Sequence, residues 1–298
     1  MKRFEYQIMP LFGIKNSDFA GAVRAQYHLL PQKYFQRVDF SVSASQFALY
    51  EEQNYQRLKV STDFWIRTKS LSNTGENHII ASATSVSDQF YRLYNDQYVN
   101  KVHLNLSMIH KNNRRINPYQ LGVYCEGNSE YLKSWLEAKY KINYEKLNKG
   151  LRIRFFAGKF LYEKDEYFGN YNFRLSGWNS NNDYKYDHLF LARNESARDN
   201  KSFLLENQFV QNDGGFAIYS YKGQTNNWML ATNITVSLPI PPPINLYLNT
   251  GSVAEKIYIA NSPTNAFTHE TLFLYEFGVS VTIVNEAFEI FFKVESLF

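Results

Sequence analysis

The stretch Leu272–Phe298, LFLYEFGVSVTIVNEAFEIFFKVESLF, places an aromatic or aliphatic residue at every second position. Phe273, Tyr275, Phe277, Val279, Val281 and Ile283 form one series. Phe288, Ile290, Phe292 and Val294 form the next, with Asn285 and Glu286 at the break. A helix repeats its apolar residues at three and four. A strand with two different faces repeats them at two.

The same period runs back through the chain. Phe4, Tyr6, Ile8 and Phe12 share a face, as do Val38, Phe40, Val42 and Ala44, and then Leu58, Val60, Thr62, Phe64 and Ile66. Val102, Leu104, Leu106 and Met108 alternate with His103, Asn105 and Ser107, which sets His103 on the polar face. Ser134, Leu136, Ala138, Tyr140, Ile142 and Tyr144 alternate with Trp135, Glu137, Lys139, Lys141 and Asn143. Trp228, Leu230, Thr232, Ile234, Val236 and Leu238 continue the pattern.

Length separates two kinds of strand. Soluble strands usually run five or six residues, whereas a tilted membrane strand needs about nine to eleven. Leu58–Ile66, Val99–Ile109, Ser134–Tyr144, Trp228–Leu238 and Phe273–Ile283 reach the longer figure. About twelve such segments are expected, an even number being usual for a single-chain bacterial barrel.

Composition agrees. The 298 residues are 17% aromatic and 20% charged, with a mean hydropathy of −0.43. A transmembrane barrel needs apolar residues only at alternate positions, so its mean stays polar. Tyr and Trp collect where a bilayer meets water.

The net charge of +4 is spread without a run of five or six like charges, which argues against nucleic acid as a partner. The single cysteine, Cys125, excludes an internal disulfide and reads as a small strand side chain. No stretch reaches the roughly 18 apolar residues of a membrane helix. Lys2 and Arg3 lead into alternation instead of the apolar core of a secretory signal, so the chain is expected to be a piece of a longer protein.

Connectors come in two kinds. Gly13–Asp18, Pro31–Lys33, Glu126–Ser129 and Asn285–Glu286 are tight; Ser70–Asn77 and Trp178–Asp187 are long and polar. Short turns at one end and long loops at the other are expected of a barrel. Asn194–Gly215 breaks the rhythm and reads as a short irregular or helical insertion near 195–213. Pro239–Pro243 cannot sit inside a ladder and reads as the turn between strands ending at Leu238 and starting at Ile244. Gly122, Gly127, Gly214 and Gly215 form no phosphate loop and read as turns and bulges. No domain boundary is visible, so 1–298 reads as one antiparallel, all-β transmembrane barrel.

With the alternation established, longer stretches carry a family resemblance. Lys2–Pro31 (KRFEYQIMPLFGIKNSDFAGAVRAQYHLLP), Leu151–Leu161 (LRIRFFAGKFL), His188–Ser196 (HLFLARNES), Glu206–Ala217 (ENQFVQNDGGFA) and Ser237–Gly251 (SLPIPPPINLYLNTG) resemble the C-terminal barrel region of large Bacteroidota proteins. In that family a zinc aminopeptidase domain of the gluzincin type precedes an outer-membrane barrel. The family's peptidase carries H-E-x-x-H on a helix, so that both histidines face one metal. Here the sole His-Glu pair, His269-Glu270, runs into Thr271, Leu272 and Phe273, so no zinc ligand carries over. The resemblance therefore implies the barrel without the peptidase, with zinc confined to a domain outside this chain.

Polar candidates remain. Glu137, Lys139 and Lys141 share one strand face, and Arg152 and Arg154 follow on the next strand. Opposite charges across neighbouring strands would make a salt-bridge ladder in the lumen, setting ion selectivity or simply filling the space. Asp183, Asp187 and His188 stand in a loop with Tyr184 and Tyr186, where they could bind a cation or act as acid and base; a solvated loop is the plainer reading. His103 and His110 are seven apart and share no strand face.

These observations lead to a bacterial outer-membrane barrel, non-catalytic and without a cofactor. It would anchor an aminopeptidase-like domain, or other outer-membrane proteins, in the lipid bilayer. The alternatives are a channel or subunit of an outer-membrane complex, a rim-based barrel enzyme, and a soluble β-barrel ligand binder.

Overall fold

The computed structural model describes residues 3–13, 18–31, 33–50, 53–67, 75–88, 99–144, 149–164, 171–176, 213–217, 222–240, 242–258, 267–284 and 288–297. Among these residues there is no helix. The strands are β1 (Phe4–Gly13), β2 (Asp18–Leu29), β3 (Phe35–Tyr50), β4 (Gln53–Ile66), β5 (Gly75–Asp88), β6 (Val99–Asn112), β7 (Tyr119–Gly127), β8 (Tyr131–Asn143) and β9 (Gly150–Glu163). Two short strands follow, β10 (Phe173–Arg174) and β11 (Gln224–Thr225). The chain ends with β12 (Trp228–Ser237), β13 (Ile244–Tyr258), β14 (Phe267–Val284) and β15 (Phe288–Leu297).

Thirteen of these strands form one sheet in the order β1 to β9 and then β12 to β15; β10 and β11 pair separately. Every ladder in the large sheet is antiparallel. The expected count of about twelve long strands falls one short.

Alternation sorts the faces. On β6, Val102, Leu104, Leu106 and Met108 are 54–61% exposed, while His103 between them is 0% exposed. Tyr6, Ile8, Leu58, Val60, Leu121, Val123, Leu230, Leu246 and Phe292 are exposed on the same side. The opposite side covers Asp39, Arg57, His103, Glu126, Lys133 and Glu276. That inverts the usual partition, in which charged residues almost never lie fully buried and large apolar patches are not left uncovered.

The sheet is strongly staggered. A row of cross-strand partners starts at Glu5, the second residue of β1, and passes through Gln26, Ser41, Ser61, Ser82, Asn105, Glu126 and Lys133 to Phe160. Phe160 N donates to Asn227 O, just before β12 begins. The row thus climbs from one end of the sheet to the other.

The described parts of the β9–β12 connection, 171–176, 213–217 and 222–227, pack on the covered face. Phe173 and Arg174 pair with Thr225 and Gln224, and Ser176 bridges Phe216. Phe173, Leu175 and Phe216 join Tyr131, Phe156, Phe160, Met229 and Leu274 in one buried cluster. Glycines make room for this seat. A Cβ on Gly251 would stand 2.3 Å from a Leu175 methyl, and one on Gly214 would stand 2.8 Å from Leu175. Gly215 and Gly223 also turn the chain at φ of +68° and +77°, a region open to glycine at no steric cost.

The expected 195–213 insertion lies outside the described residues except for Asp213. The described pieces at 171–176, 213–217 and 222–227 pack together on the sheet. The connectors also depart from expectation. In an antiparallel meander, 14–17 and 128–130 open at the same end as the long β9–β12 connection, so short and long connections are mixed at that end. The proline turn is where the alternation placed it: Leu238 N donates to Ile244 O, and Thr282 N on β14 donates to Pro243 O.

Candidate functional site

The covered face carries a continuous polar network. Glu137 on β8 and Arg154 on β9 point to this face together with Phe156, which is buried. Arg154 Nε donates to Glu137 Oε1 at 2.5 Å, and Lys139 Nζ lies 3.3 Å from Glu137 Oε2. Arg154 also donates through Nη1 to Asn233 Oδ1 at 2.9 Å and through Nη2 to the Asp213 carbonyl.

The chain of contacts continues across β12, β13 and β14. Asn233 Nδ2 donates to Asn249 Oδ1 at 3.0 Å and to the Gly214 carbonyl at 2.9 Å. Asn249 Nδ2 donates to Glu276 Oε1 at 2.6 Å, and the Ala217 amide donates to that same oxygen. Arg154 on β9, Asn233 on β12 and Glu276 on β14 therefore grip 213–217 through their side chains, with Glu137 on β8 and Asn249 on β13 linking them. Gripping backbone groups in this way satisfies donors and acceptors that would otherwise be buried alone.

Of the expected ladder, the cross-strand ion pair of Arg154 with Glu137 forms on the diagonal of the register. Lys139 lies directly opposite Arg154, and Lys141 directly opposite Arg152, so the direct pairs are like-charged. Arg154 and Lys139 both lie against Glu137. The Lys139 side chain is 50% exposed. Asp183, Asp187 and His188 lie outside the described residues.

A second node sits higher on the wall. Tyr131 Oη donates to Glu126 Oε1 at 2.7 Å, and Lys133 Nζ lies 3.2 Å from the same oxygen. Lys133 Nζ donates to the Tyr171 carbonyl at 2.6 Å, tying the returning connection to β8. His103 Nδ1 is 3.1 Å from Tyr131 Oη, and its ring meets the edge of Tyr171 at 4.6 Å. His103 thus faces where the alternation set it. His110 faces the other way, bonded to Asn77 Oδ1 at 2.6 Å.

Near the opposite end, His28 Nδ1 lies 2.6 Å from Asp39 Oδ1, and Arg37 Nε lies 2.7 Å from Asp39 Oδ2. The Arg37 guanidinium covers Trp65 at 4.4 Å, and Trp65 stacks on His78 at 4.2 Å. The hydroxyls of Ser41 and Ser61 bond each other at 2.6 Å. Among the described residues, no group of three His, Cys, Asp or Glu side chains is placed to hold a metal ion.

Sequence reasoning missed Asn233, Asn249, Glu276, Glu126 and Lys133. Each stands at a covered-face position of a strict alternation, which was the available signal. Gly122 was read as a turn or bulge residue. It is instead a ladder residue opposite Glu137, and a Cβ there would stand 2.5 Å from the Tyr124 ring, which stacks on Trp135 at 5.1 Å. Cys125 is a half-buried strand residue, as expected.

No protein-family model matches the chain, and no curated protein matches it. Among solved structures the chain is similar to CdiB from Acinetobacter baumannii, with 13% identity and a TM-score of 0.40 over 92% of this chain and 46% of that chain. This chain therefore spans about half the length of that neighbour.

Proposed function

We propose that the chain is an outer-membrane β-barrel whose lumen is plugged by its own β9–β12 connection, and that it anchors a partner domain at the membrane. One observation carries the reading: large apolar side chains such as Leu104, Leu121, Leu230 and Leu246 are exposed on one face of the sheet, while Arg57, His103, Glu126, Lys133 and Glu276 are buried on the other. Lipid wants the first face, and a narrow polar interior wants the second. The stagger of the ladder is what closure of a tilted sheet requires. Strands of 10 to 18 residues, such as β12 and β14, are long enough for a tilted crossing.

The wall network favours an anchor over an enzyme. Glu137, Arg154, Asn233, Asn249 and Glu276 spend their hydrogen bonds on one another and on the plug. On the resemblance carried by Lys2–Pro31 and the other quoted stretches, the anchored domain is aminopeptidase-like, and any zinc belongs to it.

Electrophoresis of detergent-extracted protein tests the barrel. The unboiled sample should migrate differently from the boiled one. Extraction without detergent and identical mobilities would remove the reading.

A channel is the second reading. Ser41, Ser61, Ser82 and Asn105 form a row of short polar side chains on the β3–β6 wall. Ion conductance across planar bilayers would favour it; a plugged anchor holds the bilayer closed.

A further inference from the structure

The apolar band of the exposed face gives way to polar groups over β5–β8. Ile79, Met108, Val123 and Leu136 are cross-strand partners in one row of that face. The next row of the same face, about 7 Å along the strands, is Asn77, His110, Leu121 and Ala138, and the row after it holds Asn112, Tyr119 and Tyr140. The polar side chains answer one another: His110 Nδ1 lies 2.6 Å from Asn77 Oδ1, and His110 Nε2 lies 3.2 Å from Tyr119 Oη. Hydrocarbon suits the first row, and an aqueous boundary with amphipathic rings suits the third.

The β6–β7 turn stands directly beyond this boundary. Arg114 N donates to Asn112 Oδ1 at 3.1 Å, and Arg114 Nε donates to the Asn117 carbonyl at 2.7 Å. The guanidinium then lies 5.4 Å over the Tyr119 ring. Asn117 takes a left-handed φ of 51°, and its Oδ1 accepts from Asn143 N at 3.0 Å, which ties the turn to the end of β8. Arg114 and Arg115 are both exposed, and Lys111–Tyr119 contains no Asp or Glu. Tyr140 and Tyr144 are exposed beside them.

We propose that the β6–β7 turn is a headgroup site for anionic phospholipid, in which Arg114 and Arg115 meet the phosphodiester and Tyr119, Tyr140 and Tyr144 flank it where the apolar band ends. The inference rests on the barrel reading above. A guanidinium presents a planar fork of donors that matches phosphate oxygens. Because Nε of Arg114 is already committed to Asn117, the fork is held in place before a lipid arrives. The end of the sheet selects the leaflet. No connection between neighbouring strands at this end exceeds eight residues, as on the turn side of a bacterial barrel. The leaflet on that side of an outer membrane is phospholipid, whereas lipopolysaccharide occupies the other.

Native mass spectrometry of the full chain, released from neutral detergent after addition of phosphatidylglycerol, phosphatidylcholine or purified lipid A, tests the site. The unaltered protein should retain phosphatidylglycerol in preference to the other two. The pair Arg114→Gln and Arg115→Gln should raise the phosphatidylglycerol concentration for half occupancy about 25-fold, roughly fivefold per cation removed. The pair Arg114→Lys and Arg115→Lys should keep most of the binding. Lys159→Gln, at an exposed position near the other end of β9, should leave it unchanged. Equal retention of phosphatidylcholine, preferential retention of lipid A, or a glutamine pair that binds like the parent would overturn the site. A loss for Lys159→Gln as large as for the glutamine pair would do the same. The mobility shift between unboiled and boiled samples separates the two readings: if it persists while the lipid preference is absent, the headgroup site falls and the barrel stands.

Discussion

Arg154 lies directly across the β8–β9 ladder from Lys139, yet its Nε donates to Glu137, one step along the diagonal, at 2.5 Å. The side chain passes a like charge to reach the carboxylate. From there its other two nitrogens hold Asn233 and the Asp213 carbonyl. Arg154 is thus both the counter-ion of the wall and a clasp on the plug.

Replacing Arg154 with Met should separate these roles from mere bulk. The plug loses its grip at Asp213, and Glu137 keeps only the half-exposed Lys139. The expected loss is about 3 kcal/mol, the scale of breaking a buried ion pair, read from denaturant unfolding in detergent. Hydrogen exchange at the Phe216 amide, which donates to Leu175 O, should accelerate. Unchanged exchange would show that the plug is held elsewhere.

Glu126 and Lys133 are both fully buried and 3.2 Å apart. Either single change, Glu126→Gln or Lys133→Met, strands a buried charge and should destabilise by about 3–5 kcal/mol. The double variant should be milder than the sum of the singles, because removing both charges removes the penalty. Strict additivity in unfolding free energies would mean that the pair is not coupled.

Gly122→Ala probes the aromatic seat. The added methyl would stand 2.5 Å from the Tyr124 ring and push it off Trp135. Overpacking of this kind costs about 1–3 kcal/mol. Near-ultraviolet circular dichroism should lose the signal of the stacked pair; an unchanged spectrum would refute the seat.

Leu106→Arg asks what the exposed face touches. Leu106 is 54% exposed near the middle of β6. A charge there should destabilise the protein in bilayers by about 2–4 kcal/mol if lipid covers it, whereas an exposed site in water would tolerate Arg with little change.

The alternation made the faces legible. Val102 to Met108 shows this well, because each even residue is exposed and His103 is buried. The polar character of Glu137 and Arg154 was equally visible, since both fall on the covered parity. Their actual geometry was not. Register between strands depends on connector shape, and a two-residue slip turns a diagonal attraction into a direct one. The plug was hidden for another reason: Leu175 and Phe216 sit in short irregular stretches with no period, and their partners Gly251 and Glu276 lie far along the chain. Only the folded wall brings them together.

Spin labels placed singly along Val102–Met108 in lipid bilayers test the central claim most directly. Oxygen, which concentrates in lipid, should relax labels at 102, 104, 106 and 108 more than those at 103, 105 and 107, with a water-soluble nickel complex excluded from the even set. A nickel complex reaching the even positions more readily than oxygen does, or a loss of the two-residue period, would contradict a lipid-facing sheet.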